Sequence, residues 1–176
     1  MDLILKSNKA LDDFLEQEQL SAFKIAQIST GSRDDALDIV QDAMIKFVES
    51  YSDKLADEWR PLFYRSINNR IIDWHRRKKT RGNIFQWFSS SEEADMTESV
   101  QPSPERQHLT SRATEKLEQA LRGLPARQQQ AVLLRVWDGM STAETATAMD
   151  VGIGSVKTHF SRGLKALQKQ LGDYWP

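Results

Sequence analysis

Between Asp34 and Tyr51, apolar residues fall at Leu37, Val40, Met44, Phe47, Val48 and Tyr51, a spacing that predicts a helix with one buried face. Asp34 and Asp35 stand at its start, where carboxylates favour the helix dipole. An earlier helix is expected over Leu11–Ile28, ending before Thr30-Gly31-Ser32. A third begins near Pro61, a residue favoured in the first turn, and runs to about Lys79. Further along, a helix over Thr114–Arg122 gives way to Gly123-Leu124-Pro125. The next carries Ala131, Leu134 and Trp137 and stops at Asp138-Gly139. Strand alternation is absent, so the expected fold is all-α.

The stretch from about Gly82 to Gln107 breaks this pattern. It holds Ser89-Ser90-Ser91, Glu92-Glu93 and Gln101-Pro102-Ser103-Pro104, buries little, and its prolines disfavour helix. Ile84-Phe85 and Trp87-Phe88 are its apolar residues, expected to dock on what precedes them. The reading is two small helical domains, residues 8–88 and 108–174, joined by a flexible acidic linker over 89–107.

Charge sharpens this picture. The net value of −1 conceals segregation. Residues 51–81 carry nine bases against four acids, residues 89–105 five acids and no base, and residues 155–169 four bases and no acid. Two basic surfaces flank an acidic stretch, and local charge decides where a polyanion binds. The chain has no cysteine, which removes disulfides, thiol nucleophiles and Cys-based zinc sites. Its three histidines, His75, His108 and His159, lie far apart in dissimilar settings, and no phosphate-cradling glycine loop occurs. The chain therefore reads as a non-enzyme with neither metal nor cofactor. Without a targeting segment or a run of the ~20 apolar residues that a membrane span needs, a cytoplasmic protein that does not insert into membranes is expected.

Two segments carry chemistry. Ser141-Thr142-Ala143-Glu144 fits a capping box, and the helix it opens has small residues at Ala143, Ala146 and Ala148 that permit a close crossing. A turn at Asp150-Val151-Gly152-Ile153-Gly154 leads to a helix starting near Ser155. Val156, Phe160, Leu164 and Leu167 line its core side. Ser155, Thr158, His159 and Arg162 line the other, flanked by Lys157 and Lys165. A helix that reads the major groove needs such a face, with an Arg for base edges and lysines for phosphates. A solvated helical hairpin is the plainer alternative. The second segment, Trp59 to Lys79, interleaves aromatic, amide and basic residues. Bases track a phosphate backbone and aromatics stack on unpaired bases, while burial of Phe63, Ile67, Ile71 and Trp74 under a solvated face is the competing reading.

Taken together, these segments resemble the extracytoplasmic-function group of RNA polymerase sigma factors, small proteins built of two helical domains, regions 2 and 4, and a linker. Asp34–Phe47 resembles the region 2 helix that docks on the polymerase β′ clamp, with Asp38, Gln41 and Asp42 at the polar contact positions. Trp59–Lys79 resembles the segment that melts and reads the −10 element. Asn69 and Asp73 stand at the family's Asn and Asp positions and Arg76-Arg77 at its basic end, and Trp59, Tyr64, Arg65, Asn68 and Lys78 complete the expected contacts. Leu124–Gln129 resembles the opening of region 4, and Gly154–Arg162 the start of its −35-reading helix. Leu62 stands where the family often has Trp, Gln129 where it often has Arg, Asp150 where the turn usually has Gly, and His159 where Arg or Lys is common.

The resemblance implies an alternative sigma factor that binds polymerase core at the β′ clamp and β flap. It would meet promoter DNA as duplex at −35 and as melted non-template strand at −10, the latter with help from the loop Tyr51–Glu58. An anti-sigma factor is a further partner of such proteins. The rival is a helix-turn-helix regulator acting without polymerase core, which would need a dimer interface or effector domain that the chain does not plainly supply. An adaptor built on a degenerate sigma fold would not need the intact basic helices.

Overall fold

The computed structural model describes the backbone of residues 2–88 and 107–172 and the side chains of 9–78 and 112–172. Every element among them is helical: α1 (Asp2–Thr30), α2 (Arg33–Tyr51), α3 (Ala56–Phe88), α4 (Gln107–Arg122), α5 (Ala126–Val132), a π turn (Leu133–Trp137), α6 (Thr142–Met149) and α7 (Ile153–Leu171). The linker expected over 89–107 lies, apart from Gln107 at the head of α4, outside the described residues. The same holds for the side chains of Ile84, Phe85, Trp87 and Phe88.

Helices α1 to α3 pack as one bundle. A Gly31 with φ of 73° turns the chain out of α1, and the Ser32 hydroxyl accepts the Asp35 amide at 3.3 Å to start α2. Phe14, Phe47, Trp59 and Phe63 form an aromatic cluster with centroids 5.6–5.8 Å apart, and Ile25, Ile67 and Ile71 extend it as buried neighbours. Phe63 alone, fully buried, represents about 1.5–3 kcal/mol of apolar transfer.

Three features differ from the sequence expectation. The buried face of α2 is Ala36, Ile39, Val40, Ala43 and Phe47, while Leu37 and Val48 point outward. Small Ala36 and Ala43 let α2 lie close against its neighbours, which moves the contact stripe off the bulkier residues. Helix α3 starts at Ala56, so Pro61 sits in its second turn, and it continues to Phe88, well past Lys79. Trp59, before that proline, is core: its ring packs on Phe14, and its indole N–H donates to the Lys54 carbonyl at 3.0 Å.

The C-terminal half packs α5, α6 and α7 into a helix-turn-helix supported by α4. Gln129 is buried and donates its amide to the Leu121 carbonyl at 2.9 Å, satisfying the end of α4. Arg127 likewise donates to the Met149 carbonyl at 2.7 Å and closes α6. The π turn after α5 widens the helix and carries Trp137 outward, to 53% exposure, instead of along the apolar face with Leu134. It delivers the next residue, Asp138, to the opposite bundle.

The two halves are in contact. Helix α6 packs on α3, and α4 touches α1. Ala146 and Ala148 are buried in α6, as close crossing by another helix requires, and one of the helices packed on α6 belongs to the N-terminal bundle.

Candidate nucleic-acid interface

The second helix-turn-helix element is set by local chemistry. Ser141 Oγ accepts the Glu144 amide at 3.1 Å, and Glu144 Oε2 accepts the Ser141 amide at 2.7 Å, a complete capping box. The Ser141 hydroxyl beside the carboxylate, and then the Ser141 amide that donates to it, hold the Glu144 carboxyl below the usual carboxylate range. Asp150 ends α6 in the left-handed region at φ 54°, where Asp is tolerated better than most side chains. Helix α7 then leaves with Val156 and Leu167 buried and Phe160 and Leu164 half-buried on its inner side. Gly163 faces Val132 and Gln128 so closely that no larger residue fits without displacement. On the outer side Ser155, Lys157, Thr158, Arg162 and Lys165 are exposed, and His159 is half-buried. The six expected residues of this face thus lie together on one helix.

The expected residues of α3 divide into two groups. Asn69, Asp73, Arg76, Arg77 and Lys78 are exposed. Arg76 lies 3.8 Å from Asp73, and Lys78 sits 4.7 Å from the Trp74 ring. Tyr64 and Asn68 are buried and Arg65 half-buried, all turned towards the other half of the molecule. Asn68 donates to the Ala148 carbonyl at 3.1 Å, Arg65 meets Asp150 at 2.9 Å, and Tyr64 donates to Asp138 at 2.7 Å. Burial first, then the neighbouring Asp138 and Glu18 charges, push the Tyr64 hydroxyl far above the ordinary tyrosine range, so it remains a donor.

Arg60 was missed by the sequence pattern. Its guanidinium reaches Asp138 Oδ2 at 2.9 Å, the Asp138 carbonyl at 2.6 Å and Glu18 at 3.3 Å. Neither partner has a sequence signature that links it to Arg60.

On α2, Asp38, Gln41 and Asp42 are all exposed. Together with Asp35 and Ile39 they form one wall of a groove of about 480 Å³. Arg70, Trp74, Arg77 and Lys78 of α3 form the other. Beside the polar trio, Leu37 and Ile45 are 43% and 60% exposed, an apolar margin visible in the sequence only as residues off the buried stripe.

Sequence comparison follows this division. The family description "Sigma-70 region 2" matches residues 14–81, and "Sigma-70, region 4" matches residues 114–167. The RNA polymerase sigma-E factor of Streptomyces coelicolor is 33% identical over 141 residues, 78% of this chain and 72% of that protein. The chain belongs to the extracytoplasmic-function sigma factors. The sigma factor SigE of Mycolicibacterium smegmatis is 28% identical over 163 residues; they cover 93% of this chain, which spans 60% of that relative's length. In fold, this sigma factor is similar to RpoE of Bartonella quintana, solved in complex with the anti-sigma factor NepR. The TM-score is 0.58 and the identity 24%, covering 90% of this chain and 96% of the other. Within this sigma factor the region 2 match spans most of α1 together with α2 and most of α3, and the region 4 match spans most of α4 and ends four residues before the end of α7. No helix among the described residues is long and apolar enough to cross a membrane.

Proposed function

We infer that this sigma factor binds RNA polymerase core and directs initiation at a specific set of promoters, acting by binding rather than by catalysis, in the cytoplasm where polymerase works. Core binding is assigned to the exposed face of α2. Asp38, Gln41 and Asp42 supply polar contacts to the β′ clamp, and Leu37 and Ile45 add apolar area beside them. The region 4 half meets the β flap. Helix α7 enters the −35 major groove, with Arg162 and His159 towards base edges and Lys157 and Lys165 towards phosphates. At −10, the basic end of α3 (Arg76, Arg77, Lys78) follows the backbone of the melted non-template strand. Asn69 and Asp73, both exposed, are assigned to extruded bases, with help from the loop Tyr51–Glu58 at the start of α3, while Asn68 becomes available only when α6 leaves it. An anti-sigma protein, as RpoE of Bartonella quintana has in NepR, is a further partner.

The observation that carries this reading is the outer face of α7. It is polar and basic, free of acidic residues from 155 to 169, and held by a capped, closely packed helix-turn-helix. A helical hairpin with a merely solvated face needs none of these. In vitro transcription with bacterial core polymerase and a genomic promoter pool tests it: transcripts should arise at a defined promoter class only when this chain is added. Tight, specific duplex binding by a dimer of the free chain, without core-dependent transcription, would favour the stand-alone regulator instead.

A further inference from the structure

We propose that the segment Asp138–Asp150 is an internal substitute for the promoter strand, which closes the free protein on itself until DNA displaces it. The inference rests on the reading of α3 as the strand-binding helix.

The groups that α3 presents to the Asp138–Asp150 segment are those that helix would offer to nucleic acid: two guanidiniums, a carboxamide and a phenol. Asp138 takes Arg60 at 2.9 Å, and Asp150 takes Arg65 at 2.9 Å. The Ala148 carbonyl takes the Asn68 amide at 3.1 Å, and Asp138 Oδ1 takes Tyr64 at 2.7 Å. Carboxylate oxygens occupy the role of phosphate oxygens for arginine, and a backbone carbonyl occupies that of a base-edge acceptor for asparagine. Arg60, Arg65 and Asn68 span about 12 Å along α3 at 1.5 Å per residue. Asp138 and Asp150 bracket α6, which lies along that span. Both carboxylates come from the duplex-reading half and both guanidiniums from the strand-reading half.

The contact is built to release. Asn68 Oδ1 is buried in it and has no hydrogen-bond partner among the described residues, so closure leaves one acceptor unsatisfied. Its outer end is open to solvent, with the Asp150 side chain 67% and the Arg65 side chain 34% exposed, so salt and competing anions reach it. Its inner end is firm: the Asp138 side chain is 3% exposed and also accepts Ser21 at 2.7 Å. Meanwhile Ser155, Lys157, Thr158, Arg162 and Lys165 of α7 stay exposed. The closed chain is blocked along the Arg60–Asn68 stretch of the strand-binding helix, while Asn69, Asp73 and Arg76 to Lys78 stay exposed, and it is open at the duplex-reading helix. Duplex contact at −35 therefore precedes strand capture, and the strand then takes over the partners that α6 held.

The test uses the full chain, whose lack of cysteine allows clean labelling. Spin labels on Glu49→Cys and Lys169→Cys report the distance between the halves. A fluorescein-labelled, mixed-sequence single-stranded 20-mer at fixed salt reports strand binding. The unmodified latch should give one narrow distance distribution that broadens as the 20-mer is added. Asp138→Asn with Asp150→Asn should broaden it without DNA and tighten strand binding by about tenfold, as removal of a largely closed population requires. Asp150→Asn alone keeps a residue tolerant of the left-handed turn and changes only the exposed end. It should shift both readouts in the same direction by less. The charge-matched Asp12→Asn with Asp13→Asn, exposed on α1, should leave the distance unchanged and gain no comparable affinity. Arg76→Ala with Arg77→Ala should weaken strand binding in every background. If the latch variants broaden the distance without an affinity gain beyond the α1 control while Arg76 and Arg77 still matter, the substitute-strand idea is overturned and the reading of α3 survives. An unchanged distance in both latch variants overturns it too. If Arg76 and Arg77 prove irrelevant, the reading of α3 itself fails and the inference falls with it.

Discussion

Arg60 and Asp138 pair across the two halves of the molecule at 2.9 Å although 78 residues separate them. Asp138 is almost fully buried, so removing a donor leaves a carboxylate oxygen without a partner away from water. A double-mutant cycle of Arg60→Ala and Asp138→Asn, followed by urea unfolding, should give a coupling energy on the order of 1 kcal/mol. The same cycle on Lys46 and Glu49, an exposed pair at 3.7 Å, should give no more than about 0.3–0.5 kcal/mol. Equal couplings would mean that Asp138 is solvated and the halves are not held together there.

Gly163 tests the packing behind the duplex-reading helix. A Cβ at this position would lie 2.7 Å from Val132 Cγ2 and 3.2 Å from the Gln128 carbonyl oxygen. Valine is stiff and the carbonyl is backbone, so neither yields easily. Gly163→Ala should destabilise the region 4 half by about 1–3 kcal/mol despite alanine's better helix propensity. A neutral or stabilising result in thermal unfolding would contradict the α5–α7 contact.

Much of this half was legible from local spacing. The Ser141–Glu144 box and the Asp150 turn depend on residues three to five positions apart, and both are present in the structure. The inner line Val156, Phe160, Leu164, Leu167 follows from helical period alone. What stayed hidden is long-range or irregular. Nothing near Asp138 signals that Ser21, Arg60 and Tyr64 converge on it. The π turn that turns Trp137 outward breaks the period on which the reading depended. On α2, alanine decided the buried stripe, and a pattern based on large apolar residues gives alanine little weight. The charged, aromatic character of α3 was plain, but its sequence did not reveal that the Asp138–Asp150 segment covers its Arg60–Asn68 stretch.

The capping box should make stability respond to acid. Glu144 has its carboxyl pKa lowered in the folded state, chiefly by the Ser141 hydroxyl and then the Ser141 amide. A carboxyl depressed on folding contributes fully above its unfolded pKa, and that contribution fades as pH falls through the lower folded value. Glu144→Gln should therefore be less stable than the unmodified chain at pH 7, with the gap closing in the acid range below ordinary carboxylate pKa values. Ser141→Ala, which removes the acceptor of the Glu144 amide, should cost about 1 kcal/mol at pH 7. A gap that is constant with pH would show that the carboxylate makes no charge-dependent cap.

For core binding, the exposed residues of α2 carry the expectation. Gln41→Ala with Asp42→Ala should weaken affinity for polymerase core while circular dichroism stays unchanged, since both side chains lie off the buried stripe. Ile45→Ala, at 60% exposure, should add a further loss through apolar area with little effect on unfolding. Wild-type core affinity in the triple variant would remove α2 from the interface.

On the proposed reading, the outer face of α7 separates base reading from phosphate gripping. Arg162 is exposed on the same side as Ser155, Thr158 and His159, and its planar guanidinium suits the two acceptors of a guanine edge. Lys165, about two helical turns beyond Thr158, is a point charge better matched to phosphate. In core-dependent transcription from a library of −35 variants, Arg162→Ala should lose ~1–3 kcal/mol of discrimination at one base position and leave the others intact. A substitution at His159 should change which base is preferred, by a smaller margin, because its ring is half-buried. Lys165→Ala should lower all promoters alike and flatten the salt dependence by about one unit of slope. If Arg162→Ala and Lys165→Ala scale every promoter by the same factor, this face holds the backbone only, and sequence is read elsewhere.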